Sequence, residues 1–444
     1  MRRSNRTSAG QATGWISSAT TLGAMRFERN APAKRVVILG AGFAGISLAR
    51  RLEQRRDLDV TVIDRNDYTL FTPMLPEVAS GSIEPRHIAQ PLRVALRRAR
   101  FIIGAVTDVD LAQRAVSLEG TLDGTPRRVA FDSLVIALGA ATSTHGIPGA
   151  DDHSFALKTV KDATALRSHI IRMLETAVST DDCEDRQRAL TFVVVGGGFT
   201  GVEAAGELRG YLRSVRRFYP GIRSREIRLV LVGGAPRLLE QLPKRFGSRA
   251  QRIFARRKIE VVLNDDVAAV DAGGLTLKSG QRYESRTVVW SAGVRPAPLI
   301  EKLAIDQSAH HAVVVNPDFS VPGHAGVWAI GDCAQIPKRR GGFYPQTAQD
   351  AVREGPLLAH NIVAALRGRP TRTFHYRSPG MMASLGQREG LADLGPGVLL
   401  DGMPAWLLWR AYYLTHLPGA ARKLHVALDW TIGFFFQGDI ASIT

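Results

Sequence analysis

The chain has 444 residues, of which 45% are hydrophobic and 22% charged, with 43 glycines; this profile excludes a disordered or collagen-like chain and allows about two or three domains. Two cysteines, Cys183 and Cys333, exclude a disulfide scaffold, a zinc ribbon and a CxxC redox pair, and no metal site is expected. The net charge of +17 invites anionic partners, but the excess is partly local, since Arg2, Arg3, Arg6, Arg26, Arg29, Lys34 and Arg35 face the single acid Glu28. No helix-turn-helix, zinc-finger or aromatic RNA-binding pattern accompanies it, so nucleic acid is not an expected partner.

Residues 1–33 read as a disordered tail. The first 24 residues lack the apolar core of a secretory signal; being Arg- and Ser/Thr-rich and free of acids, they mildly resemble an organellar transit peptide. Gly10, Gly14 and Gly23 argue against a sustained helix there, and a tail or an early start codon before Met25 is the simpler reading. The first strand follows. Val36-Val37-Ile38-Leu39 runs into Gly40-Ala41-Gly42-Phe43-Ala44-Gly45 and then a helical stretch from Ile46 to Gln54, which is strand, tight turn, helix. The first glycine allows the turn, the second lets the backbone approach a diphosphate, and the third lets helix and strand pack closely. The diphosphate then meets the free N–H groups at the helix start. The next strand, Val60 to Ile63, ends at Asp64, the acid expected about 20 residues on to hold an adenosine ribose.

The same unit recurs. Phe192 to Val195 runs into Gly196, Gly198 and Gly201 and a helix from Val202 to Leu212. A lone GxGxxG is a weak signal, whereas two copies between β-branched strands and helices are a strong one. Two dinucleotide sites in one chain point to one bound redox cofactor and one exchangeable nicotinamide donor. The second copy is incomplete, because its strand from Ile227 to Val232 ends at Gly233-Gly234 where an acid is expected. Discrimination between NADH and NADPH should therefore be weak, and Arg237 lies close enough in sequence to meet a phosphate.

Two later segments complete a pattern: Leu134 to Thr142, with Gly139, and Val327-Trp328-Ala329-Ile330-Gly331-Asp332. The order of motifs resembles the two-dinucleotide-binding-domain flavoproteins, an α/β architecture of two Rossmann-like domains. The resemblance implies non-covalent FAD at Gly40, Gly42, Phe43, Ala44, Gly45, Asp64 and Arg65, with Gly139, Gly331 and Asp332 closing the site. It places NADH, with tolerance of NADPH, at Gly196, Gly198, Gly201 and Gly293.

Disulfide reductases of this architecture need paired thiols near the first helix, and the chain has none there. Sulfide:quinone oxidoreductases use separated cysteines. Here Cys183 sits among Asp181, Asp182, Glu184 and Asp185, which disfavour a thiolate, and Cys333 reads as a small buried residue. That activity remains the alternative, beside a redox-sensing flavoprotein that the missing acid at Gly233 keeps open.

The segments Asp64 to Gly81, Trp290 to Arg295, Gln346 to Gly355, Gly402 to Trp409 and Asp429-Trp430 resemble type II NADH:quinone oxidoreductases, single-subunit enzymes of the respiratory chain. The resemblance implies hydride transfer from NADH to FAD and then two electrons to a membrane quinone, menaquinone or ubiquinone, without proton pumping. It carries catalytic roles to Glu203 and Gln349 and quinone contacts to Gln346, Gln349 and Glu354, the last standing where the family often has Gln. The implied domains are 34–150 and 311–397 for FAD, 151–310 for NAD(P)H, and 398–444 for an amphipathic helical membrane anchor.

The C-terminal residues can also be read physically. Trp406, Trp409 and Tyr413, spaced i, i+3 and i+7 with Leu417 a turn further, form a helical stripe from whose centre Arg410 and His416 fall away. A second helix carries Arg422, Lys423 and His425 beside Leu424, Leu428, Trp430 and Phe434 to Phe436. No run of 18 apolar residues occurs, so a helix pair lying on an anionic bilayer surface is expected rather than a spanning helix. A homodimer is expected, placed peripherally at the cytoplasmic face of a plasma membrane, with the mitochondrial inner membrane as the alternative.

Overall fold

The computed structural model describes residues 33–436 and 440, except 121–122, 379 and 396–397. The expected tail before residue 33 lies outside the described residues. The chain opens with β1 (Lys34–Leu39), α1 (Phe43–Leu52), β2 (Leu58–Asp64), the short helix α2 (Leu75–Ala79), β3 (Arg100–Ile103) and β4 (Ser133–Ile136). The last four residues of β1 and all of β4 are buried, as near-continuous apolar strands in a parallel sheet covered on both faces should be.

The second unit repeats this plan. It comprises β5 (Phe155–Ala156), α3 (Val160–Ser179), β6 (Thr191–Val195), α4 (Phe199–Val215), β7 (Arg228–Gly233), β8 (Glu260–Leu263) and β9 (Thr287–Trp290). Its sheet runs β5-β9-β6-β7-β8, parallel throughout. Helix α3 starts at a reciprocal cap, where Thr159 Oγ1 accepts from Asp162 N at 3.1 Å and Asp162 Oδ2 accepts from Thr159 N at 2.8 Å, satisfying donors the helix cannot.

The chain then returns with β10 (Val327–Ala329), which pairs with β4 and completes the first sheet as β10-β4-β1-β2-β3. Helix α5 (Ala348–Leu366) crosses α1 closely, and Gly355 is the reason: a Cβ there would lie 2.6 Å from Leu48 N and 2.8 Å from Ser47 Oγ. An antiparallel sheet of β11 (Met382–Ser384), β12 (Gly390–Asp393) and β13 (Leu399–Asp401) follows, and then helices α6 (Gly402–His416) and α7 (Ala420–Phe435).

These last helices correct the expected arrangement of the aromatic stripe. Trp406, Trp409 and Leu417 are 4%, 1% and 1% exposed, because α6 packs that face on β11 and β12. Glycine at 390 permits the contact, since a Cβ there would fall 2.6 Å from Trp406 N. Arg410, expected to fall away from the centre of the stripe, is half-buried at its edge, its guanidinium 3.8 Å from the Trp406 ring centroid and 4.5 Å from that of Trp430. Helix α7 docks on the first domain: Asp429 Oδ2 lies 2.5 Å from His87 Nδ1, and Arg422 Nε donates to Ala89 O at 2.8 Å. The exposed apolar face is a different one, formed by Met403, Leu407, Leu424, Leu428, Ile432 and Phe434 to Phe436. Among the described residues no helix is long and apolar enough to cross a membrane.

Candidate functional site

The first glycine turn is built to receive a diphosphate. Gly40 adopts φ +97°, and a Cβ on it would lie 2.3 Å from Ala137 O; a Cβ on Gly45 would lie 2.0 Å from Gly40 O. Both positions therefore require glycine. Gly42 caps α1 without a side-chain hydrogen bond, and the space a Cβ would enter there is open, so the N–H groups at the helix start are presented to a ligand. Asp64 ends β2 beside this turn, with Oδ2 accepting from Ala41 N at 2.7 Å and Oδ1 from Asn66 N at 2.8 Å. Burial pushes its pKa up. Phe43 begins α1, and Arg65 is exposed next to Asp64.

Gly331, at φ +74°, lets Ala44 approach: a Cβ at 331 would lie 3.1 Å from that of Ala44. The Asp332 carboxyl, raised in pKa by burial, lies 3.8 Å from Lys158 Nζ. Gly139, at φ +66°, has open space on its Cβ side. The donor set and the cradle thus fit a flavin dinucleotide.

The second turn has the same construction. Gly196 has φ +121°, a Cβ on Gly201 would meet Gly196 O at 1.9 Å, and Gly198 starts α4 with no side-chain cap and open space beyond. A cleft of 810 Å³ is lined by Gly196, Gly197 and Gly198, by Gly233 and Gly234, by Glu240, Asp265, Asp266 and Lys278, and by Gly293. A Cβ on Gly293 would fall 2.2 Å from His145 Nε2. Arg237, expected to be available to a phosphate, donates instead to Glu240 O and Leu242 O at 2.6 Å each. Its guanidinium is committed to its own loop.

Helix α4 carries Glu203 into the interior. Gly206 allows the segment after β11 to lie against the helix, because a Cβ there would sit 2.3 Å from Leu385 C. That approach brings Ser384 N to Glu203 Oε1 at 3.0 Å, and Trp409 Nε1 of α6 donates to the same oxygen at 3.2 Å. Burial pushes the Glu203 pKa up to about 8, so the carboxyl holds a proton near neutral pH.

Two further acids lie in the same interior. Glu207 Oε1 is 3.2 Å from Ser384 Oγ, and Glu77 of α2 accepts from Trp430 Nε1 at 3.0 Å and faces Arg410 at 3.5 Å. Burial raises both pKa values, and Arg410 opposes the shift. These partners were missed from sequence. The available signal was the spacing of Glu203 and Glu207, i and i+4 on an otherwise apolar helix, which puts two acids on one buried face.

A separate cavity of 410 Å³ lies between α1, α5 and α6, lined by Phe43, Phe71, Gln349, Arg353, Tyr412 and Tyr413 among others. Gln349 Oε1 accepts from Tyr376 Oη and Ser378 Oγ, both at 3.3 Å, so its N–H₂ is the end able to donate to a carbonyl. The other two residues expected beside a quinone do not line this cavity. Gln346 Nε2 donates to Asp332 O at 2.8 Å, and Glu354 Oε2 accepts from Gly331 N at 2.6 Å. Glu354 is buried, which pushes its pKa up to about 8. Both side chains brace the turn that carries Asp332. Cys333 is buried, its thiol pushed up to about 12, and Cys183 is exposed; neither environment favours a reactive thiolate pair.

A model of the pyridine nucleotide-disulphide oxidoreductase family matches residues 34–355. The chain is similar to the type II NADH:quinone oxidoreductase Ndh of Mycobacterium tuberculosis, 35% identical over 415 residues that cover 90% of this chain and 88% of the relative. It is also similar to the mitochondrial external NADH-ubiquinone oxidoreductase 2 of Saccharomyces cerevisiae, 31% identical over 460 residues, covering 93% of this chain and 83% of the relative. Among solved structures, NDH2 of Plasmodium falciparum in complex with NADH superposes with a TM-score of 0.85 at 21% identity, over 92% of this chain and 99% of that one. The sulfide:quinone oxidoreductase of Aquifex aeolicus gives 0.69 at 20% identity, over 86% and 90%. At such identities the structural likeness speaks to the fold alone.

Proposed function

The chain belongs to the pyridine nucleotide-disulphide oxidoreductase family and, within it, to the type II NADH:quinone oxidoreductases, and from that premise we propose how its residues divide the work. It is an FAD-dependent NADH:quinone oxidoreductase. FAD, when bound, supplies the chemistry, accepting hydride from NADH and passing two electrons to the quinone. The observation that carries the reading is the repetition of one uncapped glycine cradle, at Gly40 to Gly45 and again at Gly196 to Gly201, in a chain that also holds an apolar cavity reaching Gln349.

In this reading Gly40, Gly42 and Gly45 seat the FAD diphosphate at the start of α1, Asp64 takes a ribose hydroxyl and Asp332 the ribityl chain, with Phe43, Ala44, Arg65, Gly139 and Gly331 shaping the site. The NADH diphosphate sits at Gly196, Gly198 and Gly201, with Gly293 lining the same cleft. The quinone enters the cavity of Phe43, Phe71 and Tyr413, and Gln349 donates to its carbonyl. Quinone reduction consumes protons, and the Glu203 carboxyl, protonated near neutral pH by its burial, is the one we assign to hold a proton for it. Gln346 and Glu354 act one step removed, holding the 331–333 turn. The division into 34–150 and 311–397 for FAD, 151–310 for NADH and 398–444 for membrane attachment belongs to the same proposal.

The exposed apolar face of α6 and α7 is assigned to a lipid surface, anionic in keeping with the chain's net charge of +17, and is supported by Met403, Leu407, Leu424, Leu428, Ile432 and Phe434 to Phe436. Leu394 and Val398, exposed where β12 turns into β13, suit a homodimer contact at its edge. We place the enzyme peripherally on the cytoplasmic face of a plasma membrane, with the mitochondrial inner membrane as the alternative. The test is steady-state turnover of the FAD-loaded, detergent-purified protein. NADH oxidation should depend on an added quinone analogue, whereas quinone reduction driven by sulfide without NADH would contradict the reading.

A further inference from the structure

Strand β7 ends at Gly233, paired with Leu263 of β8, at the point where a dinucleotide fold places the carboxylate that binds the adenosine ribose. That point is nevertheless not without a carboxylate. A Cβ built on the adjacent Gly234 would lie 1.9 Å from Asp266 Oδ1, so the acid of the turn after β8 occupies the volume a side chain at 234 would fill. The turn is held in place. Asn264, in the left-handed region at φ +58°, donates its N–H to Ala235 O at 3.2 Å, and Lys278 N donates to Asp266 O at 2.8 Å. Lys278 Nζ holds Asp266 Oδ2 at 3.0 Å, which turns Oδ1 toward Gly234.

The charge around this end of the cleft points the same way. Asp265, whose Oδ1 accepts from Ser279 N at 3.2 Å, and Glu240 line the cleft with Asp266, against Lys278. Arg237 spends its guanidinium on Glu240 O and Leu242 O. Acids therefore outnumber the available cation where a 2′-substituent of the adenosine would lie.

We propose that Asp266, supplied by the neighbouring turn, is the ribose-binding acid of the second nucleotide site and makes the chain select NADH over NADPH. The proposal rests on the reading of that site as the nicotinamide-donor site. A carboxylate there accepts from a 2′-hydroxyl and repels a 2′-phosphate, a combination that the loss of an acid at 233 alone would remove. It replaces the expectation of weak discrimination, which considered only the end of β7.

Two readouts on the FAD-loaded enzyme test it: dissociation constants of NAD⁺ and NADP⁺ by titration calorimetry, and rates of anaerobic flavin reduction by NADH and NADPH. The wild type should prefer the unphosphorylated nucleotide by about a hundredfold or more in both. Asp266→Asn should weaken NAD⁺ about ten- to a hundredfold and narrow the preference by a similar factor, as the loss of a charged hydrogen bond implies. Gly233→Glu added to Asp266→Asn should restore the preference, since a Cβ at 233 meets nothing nearer than Gly197 N and Leu263 Cδ2 at 3.4 Å. A wild type that binds both nucleotides equally, or an Asp266→Asn variant that binds them with the wild-type ratio, would overturn the proposal and leave the donor site standing. Failure of both nucleotides to bind the wild type would overturn the donor-site reading and the proposal with it.

Discussion

Glu203 shows what a single residue's surroundings do to its chemistry. Its carboxyl lies between Ser384 N and Trp409 Nε1, out of water, and its pKa rises to about 8. Glu354 rises to about 8 under the turn of Gly331. For both, the folded state binds the proton more tightly than the unfolded chain, so their contribution to stability is full below the ordinary carboxylate pKa and is lost as pH rises through about 8. The melting temperature should accordingly fall between about pH 5 and pH 8. In Glu354→Gln, which keeps an acceptor for Gly331 N and cannot ionise, the fall should be shallower; an equal slope in a scan at several pH values would contradict this. Glu203 was legible in the sequence through its place after Gly201, but its partners were not, since Ser384 and Trp409 lie far along the chain. Glu354 faces away from the cavity that Gln349 lines for a geometric reason. It follows Gln349 by five residues, and at about 100° per residue the two point to different sides of α5.

At the scale of the element, periodicity identified faces but not what covers them. The stripe of Trp406, Trp409 and Tyr413 is a real face of α6, whose tryptophans are buried as the helix packs on β11 and β12 and whose Tyr413 meets Phe71, while Met403 and Leu407 meet solvent. The amphipathic pattern of the sequence contained both faces, and both are apolar enough that charge could not choose between them. Close backbone approach decides other contacts. Gly206 lets the segment after β11 lie on α4, and Gly206→Ala would force a Cβ to within 2.3 Å of Leu385 C. The segment must then move, and Glu203 loses Ser384 N. This variant should be destabilised by about 1–3 kcal/mol, as an overpacked core site is, and should reoxidise its flavin with quinone more slowly while NADH still reduces it. Thermal melting with stopped-flow absorbance checks both, and wild-type reoxidation would show that the contact does not matter to the proton site.

The whole molecule is a duplication joined by its C-terminus. Both parallel sheets and both glycine turns were legible, because each unit is local: a strand, a turn and a helix within about thirty residues. What joins them was not. Glu77 of the first domain, Glu203 and Glu207 of the second, and Arg410, Trp409 and Trp430 of the last two helices meet in one buried cluster, which no window of sequence contains. The outer face of those helices carries the surface prediction. Leu428→Glu with Ile432→Glu removes two exposed apolar side chains, each worth up to about 1.5–3 kcal/mol when buried in lipid, so sedimentation with anionic vesicles should drop while the flavin stays bound. Unchanged sedimentation would place membrane attachment elsewhere. On the proposed reading, NADH held at Gly196 to Gly201 gives hydride to the FAD held at Gly40 to Gly45, and the electrons leave to a quinone in the cavity that Gln349 lines; anaerobic flavin absorbance follows both half-reactions. NADH should bleach the bound flavin and a soluble quinone analogue should restore it, with restoration slowed about a hundredfold in Glu203→Gln; flavin that NADH leaves unbleached, or that quinone cannot reoxidise in the wild type, would contradict the account.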